Sequence, residues 1–248
     1  MILSEQQKET IKQHALADLP KECCGLILKN GNVVETKNSS YFPEQTFAIN
    51  FEDLPSDITL DDISLFYHSH PEGGAKSSID IYFSHKTNLP FAIYDVKNDS
   101  FSYYNPKGHY ELPLIGRDFL ANEIDCITLV KDFYKRNLNI EIEDIKHPIR
   151  EIEPDDWQNH PEFWKYNRKD NMAFVELYKE RGFFERKDLK KYDIILSDNG
   201  LIKALSHIGV YLGDNKIMHH PYPTKSIIED LSYFEKSSRV LYMRHSSM

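Results

Sequence analysis

In the segment FYHSHPEGGAKSSID, residues 66–80, two histidines stand one residue apart ahead of a Pro/Gly-rich stretch, two serines and an aspartate. The run ISLFYHSH is rich in β-branched and aromatic side chains and reads as a strand, on which side chains two apart share a face. His68 and His70 therefore point the same way. PEGGAK reads as a turn, and Ser77 is a good N-cap for a helix through SIDIYFSHK, which puts Asp80 in its first turn near the mouth of that loop. Two imidazoles and one carboxylate thus converge. Three N/O ligands that leave a fourth position for water are the arrangement of a catalytic zinc site. An H-x-H pair alone is more often two exposed strand-end histidines; the Ser and Asp at this spacing favour the metal.

A second set of reactive residues lies further along. Cys126 in DCITLVKDFYKRNLNI falls at the first position of a helix with apolar residues at Ile127, Val130, Phe133 and Tyr134 and Asp125 as N-cap. Unpaired N–H groups and the macrodipole at that end favour a thiolate. His207 begins a strand, and His219 follows twelve residues later across the turn signal LGDN. The two histidines are expected on neighbouring antiparallel strands, close in space. A Cys, a base and a residue that orients the base are the parts of a cysteine peptidase. The bland alternative, a packed Cys with strand histidines that merely hydrogen-bond, is common for any Cys and His pair.

These residues need two different settings. Upstream, a helix opens at Ser4 with Gln7 in a capping box, GLILKNGNVVETK reads as a hairpin about Asn30-Gly31, and strands follow at LPFAIYDV and SFSYYN. Downstream come helices, including MAFVELYKERG, and then strands at YDIILS, HIGVYLG, KIMHH and RVLYMRH. Pro and Gly in YYNPKGHYELPLIG separate the two patterns, and each half reads as α+β. The polar stretch REIEPDDWQNHPEFWKYNRKDN reads as an irregular insertion.

Composition excludes several classes. The 248 residues carry a net charge of −9, and the Lys/Arg clusters, such as RKDLKK, are short and mixed with acid, so no nucleic-acid surface is expected. No apolar run is long enough to span a bilayer, and the N-terminal segment lacks the apolar core of a signal peptide, which implies a chain made in the cytoplasm with no membrane insertion. Three cysteines, two of them adjacent at Cys23 and Cys24, offer no disulfide framework.

The first half resembles the JAMM (Mov34/MPN-like) metalloproteases, whose pattern is a Glu after the first helix, then H-x-H-P, a loop, and S-x-x-D. Here those elements are Glu22 in KECCGLIL, His68-Ser69-His70-Pro71 and Ser77-Ser78-Ile79-Asp80, with a loop one residue shorter than the family's. The resemblance implies one Zn2+ held by His68, His70 and Asp80, with Glu22 as the general base towards the attacking water and Ser77 as an oxyanion donor. The second half is similar to the NlpC/P60 cysteine peptidases, through DCITLV and HIGVYLGDNKIMHH. That similarity implies Cys126 as nucleophile, His207 as base and His219, rather than its rival His220, as the orienting residue. Phe119 stands where such peptidases commonly have a Tyr that contributes to the oxyanion site, and a phenyl ring cannot donate that hydrogen bond.

The two motifs in this order resemble the tail-tip assembly protein K family of lambda-like phages. The fold this implies is α+β in two domains, a JAMM/MPN-like mixed sheet with helices over 1–108 and a papain-like NlpC/P60 domain over 113–248. The function it implies is cleavage of peptidoglycan stem peptides by the cysteine site beside a zinc peptidase site, in tail assembly and cell-wall penetration. The expected partners are peptidoglycan stem peptides and phage tail-tip proteins, and the expected location is the host cytoplasm during synthesis and then the virion tail tip. The alternative is an assembly or docking factor with vestigial sites. A cellular isopeptidase rests on the first motif alone and leaves the second half without a role.

Overall fold

The computed structural model describes residues 3–40, 42–120, 123–145, 167–198 and 203–248. Most of the stretch read as an irregular insertion lies outside them. The chain falls into two compact units, Met1–Leu112 and Pro113–Met248. Among the described residues no helix is long and apolar enough to cross a membrane.

In the first unit α1 (Glu5–Asp18) starts from a reciprocal cap in which Ser4 Oγ accepts the Gln7 N–H at 3.2 Å and Gln7 Oε1 accepts the Ser4 N–H at 2.9 Å. The strands are β1 (Cys24–Leu28), β2 (Val33–Thr36), β3 (Ile63–His70), β4 (Phe91–Asp95) and β5 (Ser100–Tyr104), with α2 (Ser78–Thr87) between β3 and β4. They form one mixed sheet of order β2-β1-β3-β4-β5, in which only the β3–β4 pair, joined through α2, is parallel. The period-2 alternation of β3 divides its side chains between two layers. Leu65 and Tyr67 pack with Ile11 and Ala15 of α1. Phe66 packs on the opposite face with Leu26, Phe91 and, from α2, Phe83. His68 and His70 continue the Phe66 row, towards α2.

The second unit comprises α3 (Cys126–Leu138), α4 (Ala173–Glu180), β6 (Phe183–Arg186), β7 (Ile194–Ser197), β8 (His207–Gly213), β9 (Lys216–His219), β10 (Ile227–Asp230), a short α5 (Ser232–Glu235) and β11 (Val240–His245). Among the described residues its sheet has six strands, all antiparallel, in the order β10-β9-β8-β7-β11-β6. Val130, Phe133 and Tyr134 of α3 and Phe174 and Tyr178 of α4 bury one sheet face with Leu196, Ile208, Val210 and Met218. The β8–β9 connection has Asp214 and Asn215 at φ 49° and 58°, the left-handed pair that a two-residue hairpin needs and that Asp and Asn tolerate. A buried ion pair ties β11 to the residue before β7: Arg244 Nε and Nη2 donate to the two Asp193 carboxylate oxygens, each at 2.7 Å. The two outermost strands, β6 and β10, are absent from the sequence reading. Both are four residues long and mostly solvent-facing, so they carry almost no apolar alternation to read.

Two candidate active sites

In the first unit β1 and β3 pair with Cys24 opposite His68, and the ladder continues through the Ser69 N–H, which donates to Cys23 O at 3.1 Å. Glu22, two residues before Cys24, lies within electrostatic reach of both histidines. The Ser77 side chain caps α2: its Oγ accepts the Asp80 N–H at 3.1 Å, while the Ser77 N–H donates to Asp80 Oδ2 at 2.6 Å. That cap fixes the Asp80 carboxylate over the strand histidines. Oδ1 lies 3.1 Å from His68 Nε2, Oδ2 lies 3.6 Å from His70 Nε2, and the two Nε2 atoms are 3.1 Å apart. The ligand atoms of His68, His70 and Asp80 all fall within 4.8 Å of one another, the one such cluster among the described residues.

The surroundings hold these groups in place. Phe47 stacks on the His68 ring at 4.4 Å, which orients an imidazole whose buried Nδ1 has no hydrogen-bond partner. His70 Nδ1 faces Gly74 O at 3.4 Å. Burial works to raise the Asp80 carboxyl, yet both imidazoles and the Ser77 N–H outweigh it and hold Asp80 well below the usual carboxylate range. Burial would lower His70, but Asp80 and Glu22 hold it above its ordinary value. Glu22 is almost fully buried, and burial pushes its carboxyl up to about 7 against the pull of the two histidines. That is the range in which a carboxylate works as a general base near neutrality. Two imidazole nitrogens and a carboxylate are the N/O donor set zinc takes, so these residues fit such an ion.

In the second unit Asp125 caps α3, with Oδ1 accepting the Thr128 N–H at 2.9 Å and the Asp125 N–H donating to Thr128 Oγ1 at 2.8 Å. Cys126 is thereby the first residue of a well-formed helix, partly exposed, with its thiol at the positive end of the macrodipole. The helix packs on β8 and β9. His219 of β9 pairs with Gly209 of β8, two residues from His207, so the histidines sit diagonally on one face and His207 Nε2 lies 2.8 Å from His219 Nδ1. Phe234 stacks on His207 at 5.2 Å, and the Tyr233 ring lies 4.6 Å from that of His219. Burial, with the charges of His219 and His220, lowers His207 to about 3, so it stands as a neutral imidazole.

Three further residues bear on this site, and two of them, Glu229 and Arg117, have no motif that announces them. Glu229 on β10 hydrogen-bonds through Oε1 to His219 Nε2. Arg117, fully buried, donates to Pro113 O at 2.7 Å and to Asp132 Oδ2 on α3 at 2.8 Å, which ties the loop carrying Phe119 to the helix. His220 is also fully buried. Neither of its nitrogens is in hydrogen-bonding geometry, although the carbonyls of Asp125, Arg117 and Thr224 lie near enough to favour its charged form. Phe119 meets the His220 ring edge-on at 5.0 Å. His220 thus faces the Phe119 loop, and His219, not His220, is the partner of His207.

A partly exposed thiol at a helix start and a hydrogen-bonded histidine pair stand in the same unit; the histidines line the Phe234 side of the sheet, and Ile208, Val210 and Met218 line the side that α3 covers. A Cys and a His pair are the residue types of a cysteine hydrolase. Residues 116–244 match the NlpC/P60 family, and the chain belongs to that family. It is 26% identical over 218 residues, 86% of this chain and 84% of the relative, to the tail tip assembly protein K of Escherichia phage N15. A solved NlpC/P60 family protein from Bacillus cereus ATCC 10987 aligns over 94% of this chain at 13% identity and a TM-score of 0.32, and this chain spans 66% of that protein.

Proposed function

We propose that the chain is a phage tail-tip protein that opens peptidoglycan stem peptides with a Cys126-His207-His219 site and carries a separate zinc peptidase site of the JAMM type. On this reading residues 1–108 form the metallopeptidase domain and 113–248 the cysteine peptidase domain. The observation that carries the cysteine reading is the 2.8 Å contact between His207 Nε2 and His219 Nδ1. It occupies Nε2 of His207, so on this reading Nδ1 is the nitrogen that would take the thiol proton. His207 takes the Cys126 proton, the thiolate attacks the amide carbonyl, and N–H groups at the start of α3 face the developing oxyanion. Protonated His207 then gives its proton to the leaving amine, and water releases the acyl-enzyme. The tail-tip setting rests on similarity to the phage N15 protein, which spans both units.

In the first unit His68, His70 and Asp80 would hold the metal. A bound zinc ion would supply Lewis-acid polarisation of a carbonyl and activation of water. Glu22, with its raised carboxyl, takes up a proton, and the Ser77 hydroxyl still has its O–H to donate to an oxyanion because its capping bond uses only a lone pair. The competing reading is a tail docking factor with idle sites, favoured by Phe119, which cannot supply the hydroxyl common at its position. The presence of the whole Cys-His-His set and of all five positions of the metal site speaks for activity. Mass spectrometry of peptidoglycan digested by the wild type and by Cys126→Ala tests the proposal. New stem-peptide ends that vanish in the variant are expected; an unchanged wall after wild-type treatment leaves the docking reading.

A further inference from the structure

A carboxylate closes the line of hydrogen bonds behind the cysteine site. Glu229 lies on β10 opposite Ile217, and its Oε1 meets His219 Nε2, while His219 Nδ1 lies 2.8 Å from His207 Nε2. These two contacts determine where each proton sits. An ionised carboxylate accepts hydrogen bonds and cannot donate, so His219 must carry its proton on Nε2. A neutral imidazole has one N–H, which makes His219 Nδ1 a lone pair. His207 must therefore donate to it from Nε2, and its remaining nitrogen, Nδ1, is left as the lone pair that can take a proton from a thiol. The opposite tautomers would put an N–H on that nitrogen and leave His207 unable to act as a base.

We infer that Glu229 is a positioning residue of the cysteine site, selecting through His219 the tautomer of His207 that serves as base. The inference rests on the peptidase reading above and deepens it. Glu229 also places a negative charge at the end of the relay, where it stabilises the imidazolium that forms on His207 when Cys126 loses its proton. His219 is fully buried, and Phe234 covers the pair, so protein groups rather than water set these protons. The other titratable groups acting here are Tyr233, with its ring beside His219, and His220, whose charge bears on His207. The Glu229 side chain is 34% exposed, so its replacement leaves no buried charge without a partner in the core.

The test uses the full chain and reads Cys126 alkylation by iodoacetamide against pH, site by site from peptide mass spectra, beside turnover on peptidoglycan. Glu229→Leu should move the alkylation profile to higher pH and lower kcat on the order of 100-fold with little change in KM. Glu229→Asp, which keeps an accepting carboxylate, should recover part of both. An unchanged alkylation profile in a folded Glu229→Leu protein overturns the inference. Should that variant fail to fold, 15N spectra of the wild-type histidines decide: a proton on His207 Nε2 supports the assignment, and one on Nδ1 overturns it. Neither alkylation nor tautomer depends on the substrate, so a wild type that leaves peptidoglycan intact would remove the substrate reading alone.

Discussion

His68 and His70 present their Nε2 atoms to each other at 3.1 Å, with the Asp80 carboxylate against both. Two lone pairs cannot face each other at that separation without a proton or a shared cation between them. A zinc ion bound there would satisfy all three groups, and one zinc ion per chain is expected. Metal analysis of the purified protein checks this, with His68→Ala/His70→Ala expected to lose the metal. Stoichiometric zinc in that double variant would refute the assignment.

Glu22→Gln should keep the metal and stop metal-dependent proteolysis, because an amide cannot take up the proton that the nearly buried carboxylate accepts. Zinc content and cleavage of a verified substrate, measured on the same preparation, separate the two effects. Normal cleavage by the variant would mean that Glu22 is misassigned.

Acid should weaken the second unit through its buried histidines. Burial lowers His207 to about 3, and burial with the Arg117 charge lowers His220 to about 4, both from 6.5. The folded values lie below the unfolded one, so the stability these groups contribute is full above 6.5 and is lost as the pH falls towards about 4 and about 3. Thermal melting of the wild type against His220→Gln checks this between about pH 7 and about pH 4. The variant should lose less over that interval, and parallel losses would count against a neutral buried His220.

The Asp193 and Arg244 pair predicts a stability effect away from both sites. Removing the fully buried carboxylate in Asp193→Ala leaves a guanidinium 8% exposed and without its bidentate acceptor, at a cost of about 3–5 kcal/mol. Denaturant unfolding of the second unit provides the comparison. A change within about 0.5 kcal/mol, the range of an ordinary surface substitution, would contradict a structural role for the pair.

Much of this was legible where local chemistry dictates local form. Ser4, Ser77 and Asp125 cap α1, α2 and α3 as the sequence indicates, because capping depends on side chains within three residues. The convergence of His68, His70 and Asp80 followed from strand alternation and one capped helix, and that of His207 and His219 from a short hairpin with Asp214 and Asn215 at its turn. Glu229 was not legible: it sits on an edge strand whose mostly exposed residues show no period, and its meaning depends on pairing with β9. Arg117 was hidden for a similar reason, since its partner Asp132 becomes a neighbour only when the Phe119 loop folds against α3.

The measurement that bears most directly on the account is the release of stem-peptide fragments from peptidoglycan by the full chain, taken with a chelator, with iodoacetamide, and with Cys126→Ala and His207→Ala. The thiol at the start of α3 needs no metal, so release should continue after zinc removal, stop on alkylation and be absent from both variants. His219→Ala should cost less than His207→Ala, as an orienting residue matters less than the base. Release that is lost to the chelator but kept in Cys126→Ala would assign wall cleavage to the metal site and contradict the central claim.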